Sequence, residues 1–259
     1  MTGPLNQRLR AGVVMAHYRA LAPADAQLWQ LRSVPVCSST ERVLASWLTA
    51  TASEPLLQPR AVLATHQTQA TGQRGKVWSA PRGGVWISAA LPWSSDAGDS
   101  TGLVGLALAV ALAESLEQIG VAVQIKWPND LLVGGSKLAG LLPRLVVRGT
   151  QVRIVRFGLG LNVTNPVPSM ATSLRRETGV GPRATPRWAA LAMLAMDRCR
   201  AWAEQGTLQS CLAAAQQRLW SDVWIDPTDG VVWRIDGLSP NGGLCLRLKH
   251  TTRCLRRWG

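Results

Sequence analysis

A short run near the middle of the chain carries charged and amide side chains that could take part in chemistry. It reads Lys126-Trp127-Pro128-Asn129-Asp130, and Lys137 follows at the start of the apolar stretch 138–142. Because proline has a fixed φ and no N–H, it ends strand pairing and should present the next two polar residues at a strand end. Taken separately, a lysine that opens a strand is usually a solvated edge residue, and Lys-Trp-Pro is usually a turn. The two features together at this spacing are much rarer than either one alone.

A loop rich in glycine and basic residues supplies a second set of candidates, Gly72-Gln73-Arg74-Gly75-Lys76-Val77-Trp78. Its glycines allow close backbone approach, its arginine and lysine supply charge, and its tryptophan supplies a flat apolar wall. This mixture suits a ligand that is part phosphate and part apolar ring. It is not a Walker loop, because Ala70 stands at the first glycine position and Val77 at the Ser/Thr position. When this segment is considered without the other motifs, a surface loop with turn glycines is the better explanation.

A third run, Gly158-Leu159-Gly160-Leu161-Asn162, resembles a dinucleotide fingerprint but has Val163 where the third glycine would stand. It is either a strand whose small residues permit close packing or a ligand site in which the Asn162 amide hydrogen-bonds an adenine or a phosphate.

The elements that must position these residues follow from periodicity and turn signals. A strand at 31–37 leads into Ser38-Ser39-Thr40, whose hydroxyls would cap a helix near 41–50. The basic connection 70–84 is long for a loop within a domain, and such loops are usually functional. The sequence further predicts strands at 61–67, 85–91, 121–127, 137–147, 151–163, 231–235 and 243–248, and helices at 101–119, 189–204 and 208–220.

Composition excludes several classes of protein. With 259 residues, 47% apolar and 17% charged, the chain can bury one sizeable core and a small second unit. The five cysteines are odd in number and widely spaced, which indicates neither a disulfide framework nor a zinc site. The three histidines lie far apart, so no protein-held metal is expected. The apolar run 102–113 is too short to cross a bilayer and the N-terminus lacks a signal sequence, so we expect a cytoplasmic protein without a membrane partner.

The net charge of +13 raises the question of nucleic-acid binding. The arginines are dispersed apart from a mild cluster, Arg247, Lys249, Arg253, Arg256 and Arg257, so a solvated basic surface or an acidic carrier-protein partner explains the charge as well. Residues 1–36 leave too little room for a winged-helix reader. We therefore expect no specific nucleic-acid partner, and any DNA binding should be weak and salt-sensitive.

From about Ser38 to Trp258 the chain resembles the biotin–protein ligase family. Lys-Trp-Pro-Asn-Asp followed by Lys137-Leu138-Ala139-Gly140 is that family's most specific signature and is intact here. The resemblance implies an α/β (α+β) fold of the monofunctional type, with no DNA-binding domain: a mixed-sheet catalytic domain with a small C-terminal SH3-like β barrel. It divides the chain into an N-terminal extension (1–36), a catalytic biotin/ATP-binding domain (37–222) and an SH3-like β domain (223–259).

The resemblance also implies an activity. The enzyme would activate biotin with ATP as biotinyl-AMP, with Mg²⁺ neutralising the phosphates, and transfer biotin to a lysine of the biotin carboxyl carrier protein of acetyl-CoA carboxylase. Whether it acts as a monomer or a homodimer is left open. The alternatives are a lipoate ligase or octanoyltransferase of similar fold, and a non-catalytic basic module that binds nucleic acid.

Site roles carry over residue by residue. Lys137 is implied as the catalytic lysine, and Asp130 lies on the nucleotide side as the candidate proton acceptor. The biotin-binding residues implied are Ser39, Thr40, Gln67, Thr71, Gly72, Gln73, Trp78 and Lys137. The ATP-binding residues implied are Arg74, Lys76, Asn129 and Asn162.

Two departures from the family pattern bear on function. The pattern Gly-Arg-Gly-Arg-Arg-Gly appears here as Ala70-Thr71-Gly72-Gln73-Arg74-Gly75, which lacks one glycine and two arginines. The pattern Asp-Ser-Thr-Asn appears as Ser38-Ser39-Thr40-Glu41. The first departure predicts a weaker hold on the adenylate, because neutral side chains replace charged donors.

Overall fold

The computed structural model describes residues 9–53, 55–96 and 102–256. Six α-helices and eleven β-strands are described there. The helices are α1 (Ala11–Leu21), α2 (Thr40–Ala50), α3 (Leu103–Glu117), α4 (Leu174–Thr178), α5 (Thr185–Glu204) and α6 (Cys211–Gln217). The strands are β1 (Gln30–Cys37), β2 (Arg60–Gln67), β3 (Val85–Asp96), β4 (Gln124–Lys126), β5 (Asp130–Val133), β6 (Ser136–Arg148), β7 (Gln151–Leu161), β8 (Val223–Ile225), β9 (Val232–Leu238), β10 (Leu244–Leu248) and β11 (Thr251–Leu255).

The first seven strands form one mixed sheet in the order β1-β2-β3-β7-β6-β5-β4. Only β1 and β2 are parallel to each other, and the remaining neighbours are antiparallel. The last four strands form a separate antiparallel sheet in the order β11-β10-β9-β8. The predicted mixed sheet with a small C-terminal β unit is confirmed.

Helices cover the two faces of the mixed sheet unequally. On one face α3 is buried on nearly every side, which its apolar sequence requires, and it packs with α5 and α6 into the main core. On the other face α2 covers only part of the sheet, placing Leu44 and Trp47 against Val62 of β2 and Ala90 of β3. The rest of that second face is left open for a cavity.

The N-terminal helix is joined to the main core by a partly buried acid. Asp197 of α5 accepts a hydrogen bond of 2.7 Å from the Tyr18 hydroxyl of α1 and bonds of 3.0 Å from Trp29 Nε1. Burial raises the pKa of the Asp197 carboxyl to about 6, although both donors and nearby Arg200 act in the opposite direction. Residues 11–37 thus pack on the main layer through α1 and β1.

The two sheets contact each other through the segment that contains Trp127. Its Nε1 donates to the Gly242 carbonyl oxygen over 3.0 Å, and its ring packs against the core of the small sheet, which is formed by Trp233, Leu244 and Leu246. The signature run therefore lies where the two sheets meet.

Several details differ from the sequence predictions. The expectation that the cysteines form no disulfide is wrong, because Cys245 and Cys254 are register partners on β10 and β11 and form a disulfide. Spacing alone does not reveal this pair, since β11 was not predicted. The short strands β5 and β8 were also missed. The predicted strand 121–127 is shortened to β4, and the predicted helix 208–220 is a 3-10 turn followed by α6. No helix in the described part of the chain has the length and apolar character needed to cross a membrane.

Candidate functional site

A cavity of about 340 Å³ opens on the α2 face of the mixed sheet. This volume lies in the range of small-molecule sites. Its floor is formed by β3, β6 and β7, one wall is the N-terminal end of α2 and the end of β2, and the loop between β2 and β3 closes over it. All three runs singled out from the sequence contribute to its lining.

The floor of the cavity is made of paired glycines, over which a tryptophan lies. Gly140 of β6 and Gly160 of β7 are register partners. A Cβ on Gly160 would come within 2.9 Å of the Trp78 indole, and one on Gly140 within 3.1 Å. A side chain at position 160 would therefore displace Trp78, and one at position 140 would press against its indole. The Trp86 ring meets Trp78 edge-on, with centroids 6.4 Å apart.

Lys137 and Asp130 form an ion pair at one end of this floor. The Lys137 Nζ lies 2.7 Å from Asp130 Oδ1 and 4.7 Å from the centroid of the Trp78 ring. Both side chains are partly shielded from solvent. Asp130 opens β5, a strand that was not predicted, directly after the turn that contains Pro128 and Asn129, and Lys137 lies near the start of β6, as predicted. The arrangement holds a cation over an apolar ring surface at the mouth of the cavity.

A polar cluster lies around the N-terminal end of α2. Gln67 Oε1 accepts a bond of 2.7 Å from the Thr40 backbone N–H and one of 3.1 Å from the Thr40 hydroxyl. The Thr40 hydroxyl is also 2.8 Å from that of Ser88 on β3. These bonds fix which way the Gln67 amide faces, and they leave its Nε2 hydrogens for a ligand. Ser39 caps the helix as predicted, accepting from the Glu41 N–H.

The loop that closes over the cavity has a tight internal turn. Gly72 N–H donates to the Lys76 carbonyl over 2.7 Å, and Thr71 pairs with Val77 as an isolated β-bridge. Arg74 adopts a φ of 56°, a left-handed conformation that is uncommon for a residue other than glycine. The side chains of Arg74 and Lys76 are exposed, so the loop presents positive charge to solvent at the cavity mouth.

The structure brings together every predicted site residue except Asn162. Twelve line the cavity: Ser39, Thr40, Gln67, Thr71, Gly72, Gln73, Arg74, Lys76, Trp78, Asn129, Asp130 and Lys137.

Asn162 is buried beneath the site instead. Its Nδ2 donates to the Lys137 carbonyl over 3.4 Å, and its Oδ1 accepts a bond of 2.9 Å from Asn165. Its side chain supports the strand that carries Lys137.

Other cavity residues were not predicted from the sequence. Ser88, Leu142 and Arg144 line the floor, together with Gly140 and Gly158, which belong to the sequence motifs but had no site role assigned. Alternation along β6 could have found Leu142 and Arg144, since residues two apart share a face with Gly140. Ser88 lies on β3, where no motif marks it. Glu41 also lines the cavity, and the sequence marked it only as a departure from the family pattern.

The sheet order and the cavity on its α2 face define an α/β class with an appended small β sheet, and comparison with known proteins identifies the same class. A sequence profile of the biotin/lipoate A/B protein ligase family matches residues 34–162. The chain belongs to this family.

Curated relatives share part of their length with the chain. It is similar to the bifunctional ligase/repressor BirA of Bacillus subtilis, 35% identical over 153 residues, covering 56% of this chain and 46% of that protein. It is 32% identical over 152 residues to the biotin–[acetyl-CoA-carboxylase] ligase of Mycobacterium tuberculosis, covering 55% of each. The chain thus spans about half the length of these relatives.

Solved structures share its fold over most of its length. The biotin protein ligase from Aquifex aeolicus in complex with biotin and ATP superposes with a TM-score of 0.69 at 20% identity, covering 88% of this chain and 95% of that one. The ligase from Leishmania major in complex with biotinyl-5-AMP gives a TM-score of 0.54 at 23% identity, covering 90% and 99%. These likenesses establish the fold.

Proposed function

We propose that the protein is an ATP-dependent biotin–protein ligase. It forms biotinyl-AMP and transfers biotin to a lysine of the biotin carboxyl carrier protein of acetyl-CoA carboxylase. The observation that carries this proposal is one cavity in which Lys137 stands at one end and the Thr40–Gln67–Ser88 cluster farther along. A cytoplasmic location, where ATP and carrier meet, is part of the proposal.

The shape and polarity of the cavity fit biotin in one orientation. A cyclic urea needs donors and acceptors together, and the Gln67 amide with the Ser39 and Thr40 hydroxyls offers both. The glycine floor and Trp78 offer apolar surface to the thioether ring and chain. The biotin carboxylate then reaches the end where Lys137 lies.

The first half-reaction brings two anions together. A carboxylate oxygen attacks the α-phosphorus of ATP, the bond between the α-phosphorus and the bridging oxygen breaks, and pyrophosphate leaves. The Lys137 ammonium offsets the charge repulsion and holds both groups in line. Arg74 and Lys76 lie on the loop that reaches the phosphates, while Mg²⁺ bound to ATP supplies further neutralising charge. Asn162 would act from below, through Lys137.

The second half-reaction consumes the mixed anhydride. The neutral ε-amine of the carrier lysine attacks the acyl carbon, the acyl–phosphate bond breaks, and AMP leaves while an amide forms. The attacking amine loses a proton, and Asp130 is the carboxylate placed to accept it. No covalent intermediate with the protein is required.

A pyrophosphate-exchange assay tests the proposal. Radiolabelled pyrophosphate should enter ATP only when biotin is present, because exchange reports reversible adenylate formation. Lipoate and octanoate serve as the competing acids. Exchange with lipoate but not with biotin would make the protein a lipoate ligase, and no exchange with any acid would contradict adenylating activity.

A further inference from the structure

The cavity ends, on the side away from Lys137, in a group of charged side chains that the roles above do not use. Arg156 of β7 pairs with Glu41 at the start of α2, with an N···O distance of 2.8 Å. Arg144 of β6 is the register partner of Arg156. Glu41 and Arg144 both line the cavity.

The spacing along β6 places this group beyond the urea-binding cluster. The would-be Cβ of Gly140 lies 3.4 Å from Lys137 Cε, so Gly140 marks the Lys137 end of the floor. Arg144 is four residues farther on the same face, about 13 Å at 3.3 Å per residue. Ser88 of β3 is the register partner of Gly158 on β7, and Gly158 is the register partner of Leu142 on β6. Leu142 precedes Arg144 by two residues, which is one position along the same face.

The two lining residues offer complementary hydrogen-bonding atoms. Arg156 occupies Oε1 of Glu41 and leaves Oε2 as an acceptor. Among the described residues no acid pairs with the Arg144 guanidinium, which is exposed and offers several donors. A cyclic urea presents one carbonyl acceptor flanked by two N–H donors. A carboxylate beside a guanidinium matches that edge, and charged partners strengthen such bonds.

We propose that Arg144 and Glu41 are specificity-determining residues for the urea end of the ligand. The Arg144 guanidinium donates to the urea oxygen, and Glu41 Oε2 accepts from a urea N–H. Arg156 is a positioning residue that holds the Glu41 carboxylate in place. This inference rests on the proposed function, and it gives a physical role to the glutamate that replaces the family's asparagine.

Arg144→Met in the full chain tests the proposal, because it keeps the apolar stem and removes the charge. Arg148→Met is the matched control, since Arg148 lies on the same strand and face but outside the cavity lining. The ligands are biotin and 2-iminobiotin, in which a protonated imino nitrogen replaces the urea oxygen. Binding is measured by calorimetry without ATP, and pyrophosphate exchange gives kcat and KM.

Arg144→Met should weaken biotin binding about tenfold, the loss of one charge-assisted hydrogen bond. It should bind 2-iminobiotin as well as or better than the wild type, because a repulsive charge is gone. The selectivity ratio then falls at least about tenfold while kcat changes less than about twofold. An unchanged ratio, equal to that of Arg148→Met, overturns the inference alone. A wild-type protein that does not bind biotin overturns the proposed function and this inference with it.

Discussion

At the scale of single residues, the proposed chemistry depends most on the charge of Lys137. We expect Lys137→Ala to reduce biotin-dependent pyrophosphate exchange about 10²–10³-fold, the usual effect of removing one donor that acts on developing charge. The melting temperature should change little, because Lys137 is only partly buried and pairs with Asp130 at the cavity mouth.

Lys126→Ala is the matched control for Lys137→Ala. Lys126 is an exposed lysine nearby whose ammonium lies over the Trp220 ring, outside the cavity lining. This control should exchange pyrophosphate normally. Near wild-type exchange by Lys137→Ala would contradict the role given to that residue.

Asn165 positions Lys137 through buried hydrogen bonds. Its Nδ2 donates to Asn162 Oδ1, and Asn162 in turn donates to the Lys137 carbonyl. Asn165→Ala frees the Asn162 amide to rotate, so we expect kcat to fall about tenfold while KM for biotin stays within about twofold, since small misplacements are costly in catalysis. Thr164→Ala, in the same loop, loses only a bond to Gly83 and should retain kcat. Equal kcat values for the two variants would refute the positioning role.

Thr71 and Gln73 stand at the two positions where the family pattern given above has arginines, and both line the cavity. Restoring arginine at both positions should slow dissociation of biotinyl-AMP, because a charged donor roughly doubles the strength of a bond to phosphate. The release of labelled adenylate is measured before carrier is added. Unchanged or faster release would show that Arg74 and Lys76 already fill this role.

The sequence predicted which residues line the cavity better than it predicted the direction in which each side chain points. The signature run and the glycine loop supply nine of the twelve predicted residues that line the cavity, and the family resemblance supplies the other three, Ser39, Thr40 and Gln67. The inward orientation of Asn162 depends on its neighbour Asn165 and on the Lys137 carbonyl, and the carbonyl is brought to it only by the antiparallel pairing of β6 and β7. The register between distant strands cannot be deduced from the local spacing of residues.

At the scale of elements, the contact between α1 and α5 is sensitive to pH. The Asp197 carboxyl has its pKa raised to about 6 in the folded protein by burial, against 3.8 as its ordinary value. Between pH 4 and 6 the unfolded chain therefore binds fewer protons than the folded one, so this group makes the protein less stable as pH rises through that window.

Asp197→Asn removes this titration and tests it. The quantity compared is the free energy of unfolding of the wild type minus that of the variant. This difference should fall by up to about 3 kcal/mol between pH 4 and pH 6.5, because each unit of pKa shift corresponds to about 1.4 kcal/mol. Denaturant unfolding at several pH values measures the difference. A difference that stays constant across this range would show that Asp197 is already ionised in the folded protein at pH 4.

Long periodic elements were predictable and short ones were not. The helix predicted at 101–119 corresponds to α3, since its apolar residues leave no polar side to expose. The strands β5 and β8, of four and three residues, are held by their neighbours rather than by any pattern of their own. The disulfide between Cys245 and Cys254 was missed for the same reason, because the short hairpin β10–β11 creates it.

At the scale of the whole molecule, the small sheet helps to position residues of the cavity, and the net positive charge extends to its mouth. The small sheet holds Trp127 of the signature run through the Gly242 carbonyl, so the Asn129–Asp130 turn is fixed from both sides. The charge of +13 includes exposed Arg74 and Lys76 at the cavity mouth. Under the proposed function, we expect such a surface to attract ATP and an acidic carrier from a distance, an effect that added salt should weaken.

The proposed function requires that biotin and AMP are joined in this cavity. The most direct measurement is mass spectrometry of small molecules bound to the purified full chain after incubation with ATP, Mg²⁺ and biotin. We predict that biotinyl-AMP is found, that omission of either biotin or ATP abolishes it, and that lipoate in place of biotin yields no adenylate. Absence of biotinyl-AMP under these conditions, or formation of lipoyl-AMP in its place, would contradict the account.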